Sequence, residues 1–170
     1  GREITADIAS EFRYNMKFLN EKSLLIVVSQ SGETGDTLAV LREAKQRGAK
    51  VLAITNVVGS SVDRESDKVL YCDAGPEISV ASTKAYSTQL LSLYLLALDF
   101  GYKLGNYSKD DVKKAIETFE SVPGKIETIL EDTDSLDPIA ERLSKHDAVF
   151  YLGRGIDYLS AKEGALKLKE

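Results

Sequence analysis

The sequence predicts an α/β protein built on a parallel sheet, and three observations predict it. Short, continuously apolar runs recur at Leu24–Val28 and Lys50–Thr55, a pattern typical of strands in sheets covered on both faces. Between them, Thr37–Arg47 places Leu38, Leu41 and Ala44 on one helical face and Arg42, Glu43 and Lys45 around the others. The connections are tight and polar, and strand–helix–strand alternation of this kind builds parallel sheets flanked by helices.

Taken in order, Ile4–Tyr14 alternates loosely and is expected as a short strand before the polar turn Asn20–Lys22. Leu24–Val28 follows as a strand buried on both faces, then a serine-rich turn and the helix Thr37–Arg47, which Gly48 closes as a left-handed C-cap. Lys50–Thr55 is the second strand, Asn56–Ser61 a polar loop, Val62–Asp67 a helical turn and Lys68–Cys72 the third strand. Gly75-Pro76 marks a turn, and Ser82 or Thr83 is positioned to cap a long helix running to about Tyr102. Residues 109–145 are dense in charge and show no strand pattern. Helices are expected there at Asp110–Phe119, Pro123–Leu130 and Pro138–Leu143. The strand pattern returns at Ala148–Leu152, before Gly153-Arg154-Gly155 and a last helix from Tyr158 to Glu170. That helix reaches the end of the chain without a C-cap, so a truncated protein is expected.

Composition narrows the function classes. A net charge of −5 and a pI near 5.1 over 170 residues argue against a nucleic-acid or anionic-membrane partner. The single cysteine, Cys72, excludes an internal disulfide and fits a reducing cytoplasm, with buried filler as its expected role. The charged N-terminus, with Arg2, Glu3 and Asp7, has no apolar stretch of the kind a signal peptide carries. Leu90–Leu98 is too short to span a bilayer. No His/Cys cluster suggests a metal, no cofactor is expected, and the lone His146 is given no role.

Two constellations carry chemistry. In Ser29-Gln30-Ser31-Gly32-Glu33-Thr34, hydroxyl side chains sit between a strand and a helix N-terminus, where backbone N–H groups and the helix dipole favour an anion such as phosphate. Neither a nucleotide P-loop nor Gly-x-Gly-x-x-Gly is present. Glu33 beside the cup would repel a phosphate unless it turns away. The plainer alternative is that Thr34 or a neighbouring serine only caps the helix. In the last helix, Glu163, Lys167 and Glu170 fall on one face at i, i+4 and i+7. They form either a solvated ion-pair ladder or an acid–base pair whose lysine tunes the carboxylate. Gly164, unfavourable in a helix, points to close packing or a ligand.

Four segments occur in a fixed order: Ser29–Thr34, Asn56-Val57-Val58-Gly59-Ser60-Ser61, Val80-Ala81-Ser82-Thr83-Lys84-Ala85, and Glu163-Gly164-Ala165-Leu166-Lys167-Leu168-Lys169-Glu170. With Ala9–Tyr14 they make essentially the whole chain resemble the isomerase region of the glutamine–fructose-6-phosphate aminotransferase (glucosamine-6-phosphate synthase) family. The first segment alone resembles the wider sugar isomerase (SIS) domains, which include sugar-phosphate-sensing regulators. Thr55 and Tyr86 stand where relatives often carry cysteine and phenylalanine.

The resemblance implies that Ser29, Gln30, Ser31 and Thr34 hold the phosphate and nearby hydroxyls of fructose 6-phosphate or glucosamine 6-phosphate. Val80 and Ser82 are similar to residues of a second substrate-contacting loop. Glu170 is similar to the family's general base and Lys167 to the lysine that assists it. The resemblance also implies a cytoplasmic enzyme, a homodimer when intact, and a flavodoxin-like sheet. Three divisions are expected: residues 1–105 as a first SIS domain lacking its first strand, 106–147 as a helical connector, and 148–170 as the opening strand and helix of a second. The family's upstream glutaminase domain, its Cys-Gly-Thr-Ser strand end, and its downstream ring-opening histidine and C-terminal lysine have no counterpart in the sequence. The isolated chain is therefore expected to be inactive. Ala148–Leu152 is expected to fill the vacant sheet position beside Leu24–Val28, within the chain or swapped between two chains. The competing functions are a non-catalytic sugar-phosphate sensor, disfavoured by Lys167 and Glu170 and by the lack of a basic helix-turn-helix segment, and a purely structural α/β domain.

Overall fold

Three strands run parallel and side by side: β1 (Leu24–Ser29), β2 (Lys50–Thr55) and β3 (Lys68–Tyr71), in that order. The computed structural model describes residues 4–170, so Arg2 and Glu3 of the charged N-terminus lie outside the described residues. Helix α2 (Gly35–Gln46) links β1 to β2, and the short α3 (Ser61–Glu65) links β2 to β3. Gly48, at φ +82°, takes the left-handed conformation that closes α2. The register pairs Ser29 with Thr55 and Thr55 with Tyr71, so all three strands end on one line and their loops leave the same edge.

The core forms on one face of this sheet. Val27, Val51 and Ala53 pack with Leu38, Leu41 and Ala44 of α2 and with Val62 of α3. Central β2, with a neighbour on either side, also buries Ile54 completely. Edge strand β1 does not: Leu24 is 49 % exposed and Val28 40 %. Burial on both faces, read from its unbroken apolar run, is thus corrected for β1, because continuity of apolar residues does not say how many elements arrive to cover them.

The strand expected within Ile4–Tyr14 is instead a helical turn, α1 (Ala9–Phe12), followed by a 3₁₀ turn at Met16–Phe18. Ala9, Phe12 and buried Met16 pack against the core from one side of this segment, a spacing that a strand's alternation cannot supply.

The chain divides into two units, Gly1–Leu95 and Leu96–Glu170, and the division falls inside α4 (Lys84–Lys103). The second unit contains α5 (Lys109–Leu130), a 3₁₀ turn at Asp134–Leu136, α6 (Asp137–Leu143) and α7 (Ile156–Lys169). Helix α5 starts on a capping box in which Ser108 accepts from Asp111 N and Asp111 accepts from Ser108 N. It runs straight through Pro123, so the two helices expected over this stretch are one.

Residues 148–152 form no strand, and among the described residues the sheet is made of β1, β2 and β3. The expected pairing of Ala148–Leu152 with Leu24–Val28 within the chain is therefore corrected. A strand exists only where a second backbone bonds to it, and this segment packs instead along its own following helix. A Cβ on Gly164 of α7 would stand 2.8 Å from Cε1 of Tyr151, so that glycine admits the tyrosine ring. Among the described residues, no helix is long and apolar enough to cross a membrane.

Candidate functional site: the carboxyl edge of the sheet

The end of β1 turns into α2 through a cup whose polar atoms are tied to one another. Ser29 is buried, and its Oγ accepts the Gly32 N–H at 3.1 Å and shares a hydrogen bond with Thr34 Oγ1 at 2.9 Å. Ser31 Oγ accepts from Glu33 N at 3.2 Å. Thr34 is the N-cap of α2 by backbone conformation, with its side chain making no capping hydrogen bond. That differs from the plain capping alternative, since the hydroxyl is committed to Ser29. A hydroxyl carries one proton and two acceptor sites. When Ser29 donates to Thr34, the Thr34 proton is free for a guest, and Ser31, acting as acceptor from Glu33 N, likewise keeps its own proton. Both residues are exposed, whereas Gln30 is half-buried.

The turn after β2 locks onto this cup. Gly32 sits at φ +66°, and a Cβ there would fall 2.1 Å from Ser60 Oγ and 3.0 Å from Thr55 Oγ1. Only glycine fits, in conformation and in space. Val62 N donates to Gly32 O at 2.9 Å, and Asn56 N to Gln30 O at 3.1 Å. Glu33 turns to the same neighbour: its Oε1 accepts from Ser61 N at 2.7 Å. Hydrogen bonding from Ser61, with Arg64 as a weaker contributor, holds the Glu33 carboxyl below the usual carboxylate range. Ser60 caps α3 by accepting from Asp63 N at 3.3 Å.

A third segment joins from β3. The Asn56 side chain accepts from Ala74 N at 2.8 Å and donates to Gly75 O at 2.7 Å, so it mimics a strand partner for the exiting chain. Glu77 Oε2 then accepts from buried Ala85 N in the first turn of α4, at 3.1 Å. Between these anchors lie Val80, which is exposed, and Ser82, held at φ +54°, an uncommon conformation for a residue other than glycine. Helix α4 starts directly after Thr83, one of the two expected cap positions, and the Glu77 carboxylate takes the Ala85 N–H of its first turn.

The last helix presents the other constellation. Glu163 and Lys167 form an ion pair one turn apart, and both side chains are less than a third exposed. Glu170, at the C-cap of α7, lies with Oε1 3.4 Å from Lys169 Nζ. The structure thus brings Ser29, Ser31 and Thr34 together in the first unit; in the second, Lys167 lies on α7 paired with Glu163, and Glu170 lies at the C-cap beside Lys169. Cys72 is half-buried, with Ser92 Oγ 4.0 Å from its sulfur. Among the described residues no group of three or more His, Cys, Asp or Glu side chains could hold a metal ion.

Glu33, Asn56, Ser60 and Glu77 tie these turns together by hydrogen bonds, a use not expected of them from the sequence. Ser60 carries a legible signal, a serine three residues before Asp63, which is half of a capping box. The partners of Glu33 and Asn56 lie 28 and about 18 residues away along the chain, with no local signature. An open concavity of about 450 Å³, lined by Leu24, Lys50, Leu52, Asp67 and Lys68, lies at the opposite edge, where the strands begin. It has no part in the cup.

This parallel sheet, with a hydroxyl-lined turn at its carboxyl edge, is the architecture of sugar isomerase domains. The SIS domain family matches residues 5–99, more than half of the chain, and the chain belongs to that family. Among particular proteins, it is similar to the glutamine–fructose-6-phosphate aminotransferase (isomerizing) of Caldanaerobacter subterraneus subsp. tengcongensis, 54 % identical over 98 % of this chain. The enzyme of the same name from Clostridium tetani is 52 % identical over the same share. The chain spans about 28 % of the length of these relatives. In structure it is similar to the C-terminal domain of glucosamine-fructose-6-phosphate aminotransferase from Francisella tularensis, with a TM-score of 0.92 and 39 % identity over 98 % of this chain and 47 % of that one.

Proposed function

We propose that this chain is the sugar-phosphate-holding isomerase portion of an enzyme that converts fructose 6-phosphate and glutamine-derived ammonia to glucosamine 6-phosphate. The observation that carries the reading is the Ser29–Thr34 cup, in which Ser29 is buried and organises the turn while Ser31 and Thr34 stand exposed, Ser31 with a hydroxyl proton to offer and Thr34 with one whenever Ser29 donates to it. In this reading Ser31, Thr34 and neighbouring backbone N–H groups take the phosphate, Gln30 reaches a sugar hydroxyl, and Ser29 acts through Thr34. Val80 and Ser82 supply contacts from the segment after β3. Glu170 moves the proton between the first two sugar carbons, and Lys167 stabilises the oxyanion that develops as it does so, a division of labour that enolisation requires. Residues 1–105 then form a first SIS domain, 106–147 a connector and 148–170 the opening of a second. The intact enzyme works as a homodimer in the cytoplasm.

Calorimetric titration with glucosamine 6-phosphate tests the cup. The unaltered chain is expected to bind, and Ser31→Ala and Thr34→Ala are each expected to weaken binding about ten- to a hundredfold, since a hydrogen bond to a charged group contributes about 1.5–3 kcal/mol. Unchanged affinity in both variants would reject the cup, and no binding by the unaltered chain would reject the reading as a whole.

A further inference from the structure

The cup is built around an anomaly. A site meant for a dianion carries a carboxylate, Glu33, on the residue next to Thr34. In water at about 5–6 Å two like charges repel enough to matter, and more so at a partly desolvated edge. The structure resolves the conflict by giving Glu33 a different task. Its carboxylate reaches across to α3 and accepts Ser61 N at 2.7 Å. The same stretch of cup is held at Gly32 O by Val62 N, and Gly32 has its Cα against Ser60. Behind these contacts α3 is itself fastened to α2. Arg42 grips Glu65 with Nε–Oε2 at 2.7 Å and Nη2–Oε1 at 2.6 Å, and Lys45 Nζ donates to Glu65 O at 2.6 Å. The amide that Glu33 holds therefore belongs to a fixed element.

We propose that Glu33 is a positioning residue for the cup: by accepting the Ser61 N–H it fixes the Gly32–Thr34 backbone in the anion-binding conformation and keeps its own charge off the guest. This rests on the sugar-phosphate reading of the cup. Two features separate a clamp from a solvated carboxylate that merely happens to reach an amide. The acceptor is needed but the charge is not, so glutamine in place of Glu33 preserves the clamp. The donor is a backbone N–H at the first residue of a helix, a position where proline fits. Ser60, just before it, has φ −66° and ψ 165°, the extended conformation that a following proline requires. Ser61→Pro thus removes the donor while keeping the helix start, and Ser61→Ala keeps the N–H while removing the hydroxyl.

The test titrates glucosamine 6-phosphate, and inorganic phosphate in parallel, into the full chain and its variants. Glu33→Ala and Ser61→Pro are each expected to weaken both ligands about tenfold, the size expected from losing one charge-assisted bond. The double variant is expected to be no weaker than either single one, because both remove the same contact. Glu33→Gln and Ser61→Ala are expected to stay within about twofold of the unaltered chain, a rescue that a general loss of stability would not produce. Thermal unfolding of each variant identifies any that fails to fold. For such a variant, amide exchange of residues 31–34 in Glu33→Gln, set against the unaltered chain, takes over as the readout: equal protection supports the clamp and lost protection overturns it. If the unaltered chain binds and Thr34→Ala weakens binding as expected, but Glu33→Ala and Ser61→Pro bind normally or act additively, the clamp is overturned while the cup stands. If the unaltered chain binds neither ligand, the sugar-phosphate reading fails and the clamp's purpose fails with it.

Discussion

At the scale of single residues, the cup depends on an atom that is missing. Gly32 combines a positive φ of +66° with a Cα whose added methyl group would overlap Ser60 Oγ. Gly32→Ala therefore incurs a left-handed backbone cost of about 1–2 kcal/mol and an overpacking cost of about 1–3 kcal/mol. Urea denaturation is expected to show a loss of about 2–5 kcal/mol, and a loss below about 0.5 kcal/mol would mean that the two turns are not locked as described. The same scale separates what is legible locally from what is not. Ser29, Ser31 and Thr34 declare themselves because hydroxyl residues between an apolar run and an amphipathic helix have few other uses. The roles within the trio do not. Only burial distinguishes Ser29, the organiser, from the exposed Ser31 and Thr34. Glu33 reads in the sequence as an intruder beside an anion site, and its partner Ser61 becomes visible only when two strand ends are laid side by side.

At the scale of elements, α5 shows how weak a local breaker can be. Pro123 lacks the N–H that a helix interior uses, and Gly124 adds a further propensity cost, yet the helix continues from Lys109 to Leu130. The apolar positions Ile116, Phe119, Ile126 and Leu130 keep helical spacing across the proline, and the capping box at Ser108 starts the helix firmly. Pro123 is exposed, so Pro123→Ala is expected to stabilise the helix by up to about 3 kcal/mol and to raise helical circular dichroism. A fall in helicity would show that the helix needs proline at this position. Ala148–Leu152 shows the converse, a good strand pattern that yields no strand. Branched and aromatic residues suit a pleated surface, but the pattern cannot supply the neighbouring backbone that makes a strand.

At the scale of the whole molecule, charge links the elements of the first unit. Arg42 holds the Glu65 carboxyl below the usual range, and the Val51 N–H does the same for Asp67, with Val51 N donating to Asp67 Oδ2 at 2.8 Å. Glu33 behaves alike through Ser61. Each carboxyl has a lower pKa folded than unfolded, so the unfolded chain takes up protons first as pH falls. Their stabilisation is present in full above the unfolded values near 4 and is lost as pH drops through the folded ones. The urea midpoint is therefore expected to be flat from pH 7 to about 5 and to fall below about 4, with Glu65→Gln and Asp67→Asn flattening the fall. An unchanged midpoint down to pH 3 would contradict this. By itself the sequence determined the βαβ alternation, β2 to the residue, the hydroxyl turn and the family, because periodicity, turn chemistry and motif order are local properties of a chain. Tertiary structure alone decided which face of β1 is covered, that residues 148–152 stay out of the sheet, and that Glu33, Asn56 and Ser60 brace the cup. Those outcomes depend on contacts between residues distant along the chain, and such contacts exist only once the strands have aligned their ends.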